Sequence, residues 1–100
     1  NLWVNINPKY SYNQVHVHPE ARLSGVFYVS APKNSGDLCF TRSNGYALGT
    51  VAPNLTRYSS PEWCYPPQKN RLLIFPAWQE HHVKAYLSDE DRVSISFNIR

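Results

Sequence analysis

Imidazole side chains are confined to two short segments of this 100-residue sequence, His16-Val17-His18-Pro19-Glu20 and His81-His82-Val83. Both segments lie among residues that favour strands and turns. Side chains two residues apart on a strand point to the same side of a sheet, so His16 and His18 can act together. A third imidazole from a distant strand would complete a facial set of metal ligands. Whether the fold brings the two segments together therefore decides much of what the chain can do.

The rest of the pattern predicts an all-β domain. No stretch shows sustained apolar spacing at three and four residues, so we expect little or no helix. Alternation and flanking Pro, Gly and Asn residues predict strands at 2–6, 15–18, 23–29, 37–41, 71–75, 81–86 and 92–100, with a weaker strand at 46–51 after the hairpin signal Asn44-Gly45. Many short strands separated by turns predict a sandwich or small barrel, and we expect one domain over 1–100. The remainder of 42–70, which is rich in Pro, Gly, Ser and Asn, is predicted to be a long loop.

The final segment, 92–100, alternates without interruption. Its apolar residues face one way and its polar residues the other, the latter being Arg92, Ser94, Ser96, Asn98 and Arg100. One interpretation is an edge strand whose polar face lies in water. The other is a barrel strand whose polar face lines a wet cavity, and alternation alone favours the first.

Composition narrows the choice of partners and location. The net charge is +3 and the basic residues are scattered, so we expect neither nucleic acid nor a membrane surface as a partner. No segment resembles a transmembrane span or a signal peptide, and we expect a cytoplasmic location. The absence of Met indicates a trimmed chain, so we expect the domain core to lack N-terminal flanking elements. Cys39 and Cys64 could pair, but the apolar surroundings of Cys39 favour a free buried thiol.

The two histidine segments suit a borderline metal such as Fe(II), Zn or Cu, because each neutral imidazole offers one lone pair. His81 and His82 point in opposite directions, so only one of them can join a given site. Glu20 could replace one imidazole as an oxygen ligand. Arg92 follows an acidic turn on the next strand, where it could capture a carboxylate with help from Ser94, or simply pair with Asp89 or Asp91.

The sequence resembles the Fe(II)- and 2-oxoglutarate-dependent oxygenases, and most closely a branch of uncharacterised members from bacteria and phages. The resemblance runs from Trp3 to Asn98, and the order and spacing of the matching segments carry it. These are Trp3-Val4-Asn5, His16-x-His18-Pro19, Leu23-Ser24-Gly25-Val26-Phe27-Tyr28-Val29, Leu73-Ile74-Phe75-Pro76-Ala77-Trp78, His81-His82-Val83 and Arg92-Val93-Ser94-Ile95-Ser96-Phe97-Asn98.

The resemblance implies a double-stranded β-helix, the jelly-roll barrel shared with cupins, with Fe(II) at its mouth and 2-oxoglutarate as cosubstrate. His16 matches the first metal ligand and His81 the distal one. Arg92 matches the residue that holds the far carboxylate of 2-oxoglutarate, and Tyr28 matches a position from which a phenol can assist it, although Tyr28 could equally be core. The implied reaction is a hydroxylase-type oxidation in which O2 is consumed and 2-oxoglutarate is decarboxylated to succinate.

One departure from the broad superfamily concerns the third ligand, which is usually Asp or Glu where this chain has His18. A neutral ligand there leaves more positive charge on the metal. We favour a site of His16, His18 and His81, with Glu20 as the alternative ligand. The departure bears on activity rather than on fold.

Two other functions remain open at this stage. The first is a cupin-type metal protein, such as a three-histidine dioxygenase or isomerase that does not use 2-oxoglutarate, in which Arg92 and Ser94 would have no particular role. The second is a non-enzymatic β-sandwich with surface histidines, which would be favoured if the histidines lay far apart. The sequence does not identify the substrate, for which the aromatic residues Tyr46, Tyr58, Trp63 and Tyr65 are candidate contacts, and it allows a homodimer.

Overall fold

The computed structural model describes residues 1–41 and 60–100. These residues form eight strands and no helix, so the all-β prediction is confirmed. None of them forms a helix long and apolar enough to cross a membrane. The strands are β1 (Leu2–Asn7), β2 (Asn13–His16), β3 (Leu23–Ser30), β4 (Leu38–Thr41), β5 (Glu62–Tyr65), β6 (Leu72–Pro76), β7 (His81–Val83) and β8 (Arg92–Ile99).

Two four-stranded antiparallel sheets make up the jelly roll. The first has the order β1-β8-β3-β6 and the second the order β2-β7-β4-β5. Strands from the two ends of the sequence are therefore neighbours in both sheets. In the first, β1 pairs with β8 from Leu2↔Phe97 to Asn7↔Arg92. In the second, β2 pairs with β7 at His16↔His81, and this single pair joins the two histidine segments.

Strand β8 occupies a central position between β1 and β3, not an edge. Its polar face points between the two sheets, where Arg92 and Ser94 are buried and where Ser96 and Asn98 line a cavity. Its apolar face points outward, in register with β1 residues Leu2, Val4 and Ile6, which are 61–69% exposed. The second interpretation of the alternating segment, a strand lining a wet cavity, is the one that holds.

Some element boundaries differ from the prediction for local reasons. β2 ends at His16, before His18, because the pairing with β7 stops there and Pro19 limits the backbone of the preceding residue. β7 ends at Val83, after which Lys84 donates its N–H to Asp37 instead of extending the strand. The predicted loop over 42–70 was wrong where it contains β5, which pairs with β4. The predicted strand at 46–51 lies outside the described residues.

The interpretation of Cys39 as a free thiol was also wrong. Cys39 and Cys64 face each other directly across β4 and β5, and the two side chains form a disulfide. The sequence signal was lost because Cys64 lies in a stretch that looked like loop. Only the register between the two strands places the sulfur atoms together.

Candidate metal centre

Three histidines converge at one end of the space between the sheets. One nitrogen from each of His16, His18 and His81 lies within 4.8 Å of the others. Their ring centroids are 4.1 Å apart for the pair joined across β2 and β7, and 5.0 and 5.1 Å apart for the pairs that include His18. The fourth histidine, His82, points to the opposite side of the second sheet. Histidines far apart in space would have favoured the non-enzymatic β-sandwich, but three of them lie together.

Backbone carbonyls orient two of these rings. His16 Nδ1 lies 2.6 Å from the carbonyl oxygen of Gln14, and His81 Nδ1 lies 2.8 Å from the carbonyl oxygen of Gln79. Because a carbonyl can only accept, each Nδ1 carries the proton in the neutral ring and each Nε2 keeps its lone pair. This arrangement is the usual support of histidine metal ligands, since it fixes both the tautomer and the ring orientation.

His18 is held differently, by its main chain. The strand has ended, yet the His18 N–H donates a 2.9 Å hydrogen bond to the carbonyl oxygen of Ala77, at the turn after β6. That bond ties the segment 17–19 to the chain that leads into His81. The His18 side chain therefore joins the group without being part of the ladder.

Burial lowers the pKa of two of these three rings. Desolvation, opposed by the hydrogen bond to Gln79 and aided by the neighbouring imidazoles, lowers the pKa of His81 from 6.5 to about 4. Desolvation and the proximity of His16 also lower the pKa of His18. Neutral imidazoles with free lone pairs are the form that binds a metal ion, so the group is prepared for a cation at neutral pH.

Glu20 does not join the histidines. Its carboxylate is 85% exposed and lies 3.8 Å from the guanidinium of Arg100. Among the described residues, the group that could hold a metal at this end of the cavity is made of nitrogen donors alone.

Arg92, which the sequence predicts to bind a carboxylate, is 6% exposed. Its Nη1 donates to the carbonyl oxygens of Ser35 at 2.6 Å and Gly36 at 3.1 Å, and its Nη2 donates to the side-chain oxygen of Asn7 at 3.0 Å. All three acceptors are neutral. Gly36 can supply its carbonyl because its φ of 81° suits a residue without Cβ, and a Cβ there would collide with the carbonyl oxygen of Lys84.

No carboxylate in the described part of the chain forms an ion pair with Arg92, and its Nε has no hydrogen-bond partner. Asp89, a candidate partner from the sequence, pairs instead with Lys9 at 3.0 Å. Desolvation accordingly lowers the pKa of Arg92. A buried guanidinium with only neutral partners is costly, and an anionic ligand would offset that cost.

Two tyrosines flank this guanidinium. The rings of Tyr28 and Tyr86 have centroids 5.9 and 6.0 Å from the Arg92 Cζ, within reach of a cation–π attraction. Tyr28 is 2% exposed, and desolvation raises its pKa, so its hydroxyl keeps its proton. Ser94, 3% exposed, lies on the same face of β8 as Arg92.

A single cavity connects the two groups. Its volume is about 170 Å³. This is below the roughly 300–1,000 Å³ that is usual for pockets that take drug-sized ligands, so the cavity suits a small ligand. Its lining includes the metal-binding group, Arg92, Tyr28, Ser94 and polar side chains from β1, β3 and β8, the latter being Asn5, Asn7, Ser24, Ser96 and Asn98.

The sequence interpretation missed several of these residues. Asn7 ended a predicted strand and was not given a role, although it is a direct partner of Arg92. Tyr86 was placed in a strand and carried no functional signal, yet it is 1% exposed beside the guanidinium. Of the four aromatic candidates for substrate contact, Tyr46 and Tyr58 lie outside the described residues. Trp63 and Tyr65 share the Phe40 face of the second sheet, but they are not part of the cavity lining.

Solved structures with a similar fold cover nearly all of the chain. A 2OG-Fe(II) oxygenase family oxidoreductase from Burkholderia pseudomallei matches with a TM-score of 0.74 at 14% identity, covering 97% of this chain and 41% of that one. A Pseudomonas putida prolyl-4-hydroxylase matches with a TM-score of 0.68 at 18% identity, covering 99% and 52%. An RmlC-like cupin from Desulfovibrio desulfuricans matches at 0.55 and 10% identity, covering 97% and 69%. At these identities the matches show the jelly-roll fold, and the chain spans about half the length of the two oxygenases.

The sequence comparison is more specific. No curated protein matches the chain. Residues 1–98, however, match the model of a family described as "Putative 2OG-Fe(II) oxygenase", which takes in the histidine group and Arg92 together. That match extends over almost the entire sequence, and the fold agrees with it. The chain is therefore a member of this 2OG-Fe(II) oxygenase family of enzymes.

Proposed function

We propose that this protein is a dioxygenase dependent on Fe(II) and 2-oxoglutarate. It would oxidise an organic substrate by a hydroxylase-type reaction while 2-oxoglutarate is decarboxylated to succinate. The observation that carries the proposal is the pairing of two groups in one cavity, an oriented set of neutral histidines and a buried arginine that lacks an anionic partner.

The histidine group fits Fe(II). His16, His18 and His81 would hold the ion, with the Nε2 atoms of the first and last left free by their hydrogen bonds to Gln14 and Gln79. When bound, Fe(II) supplies the redox chemistry that activates O2. The hydrogen bonds fix the orientations of two rings, and burial lowers the pKa of His18 and His81 so that both offer a lone pair at neutral pH.

The opposite group fits the far carboxylate of 2-oxoglutarate. Arg92 would provide charge-assisted hydrogen bonds to it, and the hydroxyls of Tyr28 and Ser94 would add neutral ones. The raised pKa of Tyr28 favours this role, because only the protonated phenol can donate. The cation–π contacts and the bonds to Asn7, Ser35 and Gly36 hold the guanidinium in place before any ligand arrives.

The neutral ligand His18, in place of an acid, changes the charge of the metal site. The complete site lacks the negative charge that a carboxylate ligand would add, so a bound dication keeps one more unit of positive charge. We expect a stronger electrostatic attraction for the anionic cosubstrate. The segment carrying His18 also makes the site dependent on the turn at Ala77, to which His18 is hydrogen-bonded.

An anaerobic titration tests the proposal. The purified chain is given Fe(II) and then 2-oxoglutarate, and visible absorption is followed. We expect a weak charge-transfer band that appears only after 2-oxoglutarate is added, and that is lost in Arg92→Ala. The matched control is Arg100→Ala, which removes an exposed arginine from the chain and should leave the band unchanged.

The main competing function is a cupin-type three-histidine metal protein that does not use 2-oxoglutarate. Two observations favour this alternative: the ligand group consists of nitrogen donors, and the fold matches that of a cupin. Fe(II) binding without a 2-oxoglutarate-dependent band, and with no effect of Arg92→Ala, would replace our proposal with this one. The buried Arg92 argues against it, because a cupin of this kind has no evident use for an unpaired guanidinium.

A further inference from the structure

A second group of metal-binding side chains lies on the outer side of the second sheet, away from the cavity. Strand pairing places Cys64 opposite Cys39, and Cys39 opposite His82, in one row across β5, β4 and β7. Side chains directly opposite one another in neighbouring strands point to the same face. That face is not the one that carries His81, because adjacent residues of a strand alternate.

A carboxylate completes this row. Glu62 lies two residues before Cys64 and so shares its face. A ligand atom of Glu62 lies within 4.8 Å of the sulfur atoms of Cys39 and Cys64. Glu62 Oε1 is also 2.9 Å from His82 Nε2. The two sulfurs and the Glu62 carboxylate therefore form a group with metal-ligand spacing on β4 and β5. His82 on β7 is not part of that group and adjoins it through Glu62.

Burial differs across the cluster in a way that suits ion binding. Cys39 is fully buried, the His82 side chain is 19% exposed and the Glu62 side chain is 41% exposed. An ion could enter from the side of Glu62 and the half-buried Cys64, while Cys39 closes the inner side. His82 Nδ1 is buried and has no hydrogen-bond partner. When His82 Nε2–H donates to Glu62, it holds the carboxylate in place, as a supporting group does for a metal ligand.

We propose that the reduced form of this cluster is a binding site for a second transition-metal ion, of the zinc type, formed by Cys39, Cys64 and Glu62, with His82 holding the Glu62 carboxylate. In the structure the two sulfurs are joined as a disulfide. A dithiol reductant would transfer two electrons and two protons to that bond, giving two thiols while the reductant closes to its own disulfide. The metal then displaces the thiol protons, which go to solvent, and binds the thiolates.

The chemistry of the donors selects the ion. Thiolate sulfur and carboxylate oxygen are both ligands of Zn²⁺, and a tetrahedral ion held by three protein ligands keeps its fourth position open. The cavity site offers nitrogen donors alone and would remain available to Fe(II). Strand β7 then serves both sites, with His81 as a ligand on the inner face and His82 as the partner of Glu62 on the outer face. If the expected cytoplasmic location holds, the reducing environment would favour the thiol form.

Cobalt(II) provides the test, because thiolate ligation gives it an intense charge-transfer absorption that nitrogen and oxygen ligands do not. The full chain is reduced with a dithiol, freed of reductant under argon and titrated with Co(II). We expect this absorption to saturate when the sulfur site is filled, although the cavity histidines take up a second equivalent, and to disappear when Zn²⁺ is added. The same titration of the oxidised chain should give no such band.

Variants separate this site from the catalytic one. Glu62→Gln and His82→Ala should each weaken cobalt binding at the sulfur site by about tenfold or more, and Cys64→Ser should remove the band. His16→Ala, which alters only the cavity group, is the matched control and should retain it. The proposal is overturned if the reduced chain gives no band, or if neither Glu62→Gln nor His82→Ala changes the affinity. Should Cys64→Ser fail to fold, the comparison of oxidised and reduced wild-type chains still decides.

Discussion

The two ends of the cavity are prepared for ligands in opposite ways. At the histidine end, hydrogen bonds to the carbonyls of Gln14 and Gln79 satisfy two Nδ1 atoms, and burial lowers the pKa of His81. At the Arg92 end, a full positive charge is buried among neutral acceptors and one of its nitrogens has no partner. Without a cation, the histidine end leaves no buried charge uncompensated. The Arg92 end, in contrast, holds a buried positive charge whose desolvation cost an anion would offset. The comparison teaches that ligand binding should affect the two ends differently.

The largest expected effect tests the composition of the histidine end. His18→Ala removes one of three nitrogen donors, and we expect Fe(II) affinity to fall by about a hundredfold or more, since losing a supporting group alone costs about 10–100-fold. Glu20→Ala is the matched control, because this carboxylate lies with Arg100 and not with the histidines. Isothermal titration under anaerobic conditions measures both. A large loss in Glu20→Ala with none in His18→Ala would make the third ligand Glu20.

A smaller effect is expected at the Arg92 end from Gly36→Ala. The substitution places a Cβ at a φ of 81° and against the Lys84 carbonyl oxygen, while Gly36 itself accepts a hydrogen bond from Arg92. We expect a destabilisation of about 1–3 kcal/mol, together with weaker 2-oxoglutarate binding and unchanged Fe(II) binding. Ser35→Ala is the control, because it keeps the backbone acceptor and removes a hydroxyl that has no partner.

Chemical denaturation and separate titrations with the two ligands measure these effects. Equal losses of Fe(II) and 2-oxoglutarate affinity in Gly36→Ala would mean that the two ends are not independent. In that case the proposed difference between the histidine end and the Arg92 end, with its uncompensated charge, would be wrong. A selective loss of 2-oxoglutarate affinity would instead locate the anion at the guanidinium.

Much of this site could be predicted from local sequence because local rules governed it. The two histidine segments and the alternation after Arg92 need only the strand period to suggest a shared face. The resemblance then identified His16, His81 and Arg92 as a set. The side of β8 that faces inward was harder to predict, because the usual rule places apolar residues inside. Here the polar face lines a ligand cavity, and Val93 and Ile95 lie on the other face.

What the sequence did not predict depends on long-range register. The partner of Cys39 is fixed only when β5 is aligned with β4, and β5 is concealed in a stretch rich in turn residues. Asn7 and Tyr86 reach Arg92 from strands and turns far apart in the chain, with no motif to mark them. Such contacts follow from the packing of the two sheets, which no single segment encodes.

The smallest expected effect concerns pH and sharpens the description of the histidine end. The pKa of His81 is lowered from 6.5 to about 4, so the unfolded chain binds a proton at this residue more readily than the folded one. Stability of the metal-free protein should therefore be full above pH 6.5 and should fall as the pH drops towards 4. Because the cavity is open to water, screening should moderate the effect. Thermal melting at about pH 7.5, 5.5 and 4.5, across the titration range of an imidazole, measures how stability changes with pH. His81→Gln, which cannot take up the proton, should flatten this pH dependence. An equally steep slope in this variant would mean that another group, and not the burial of His81, controls the acid sensitivity.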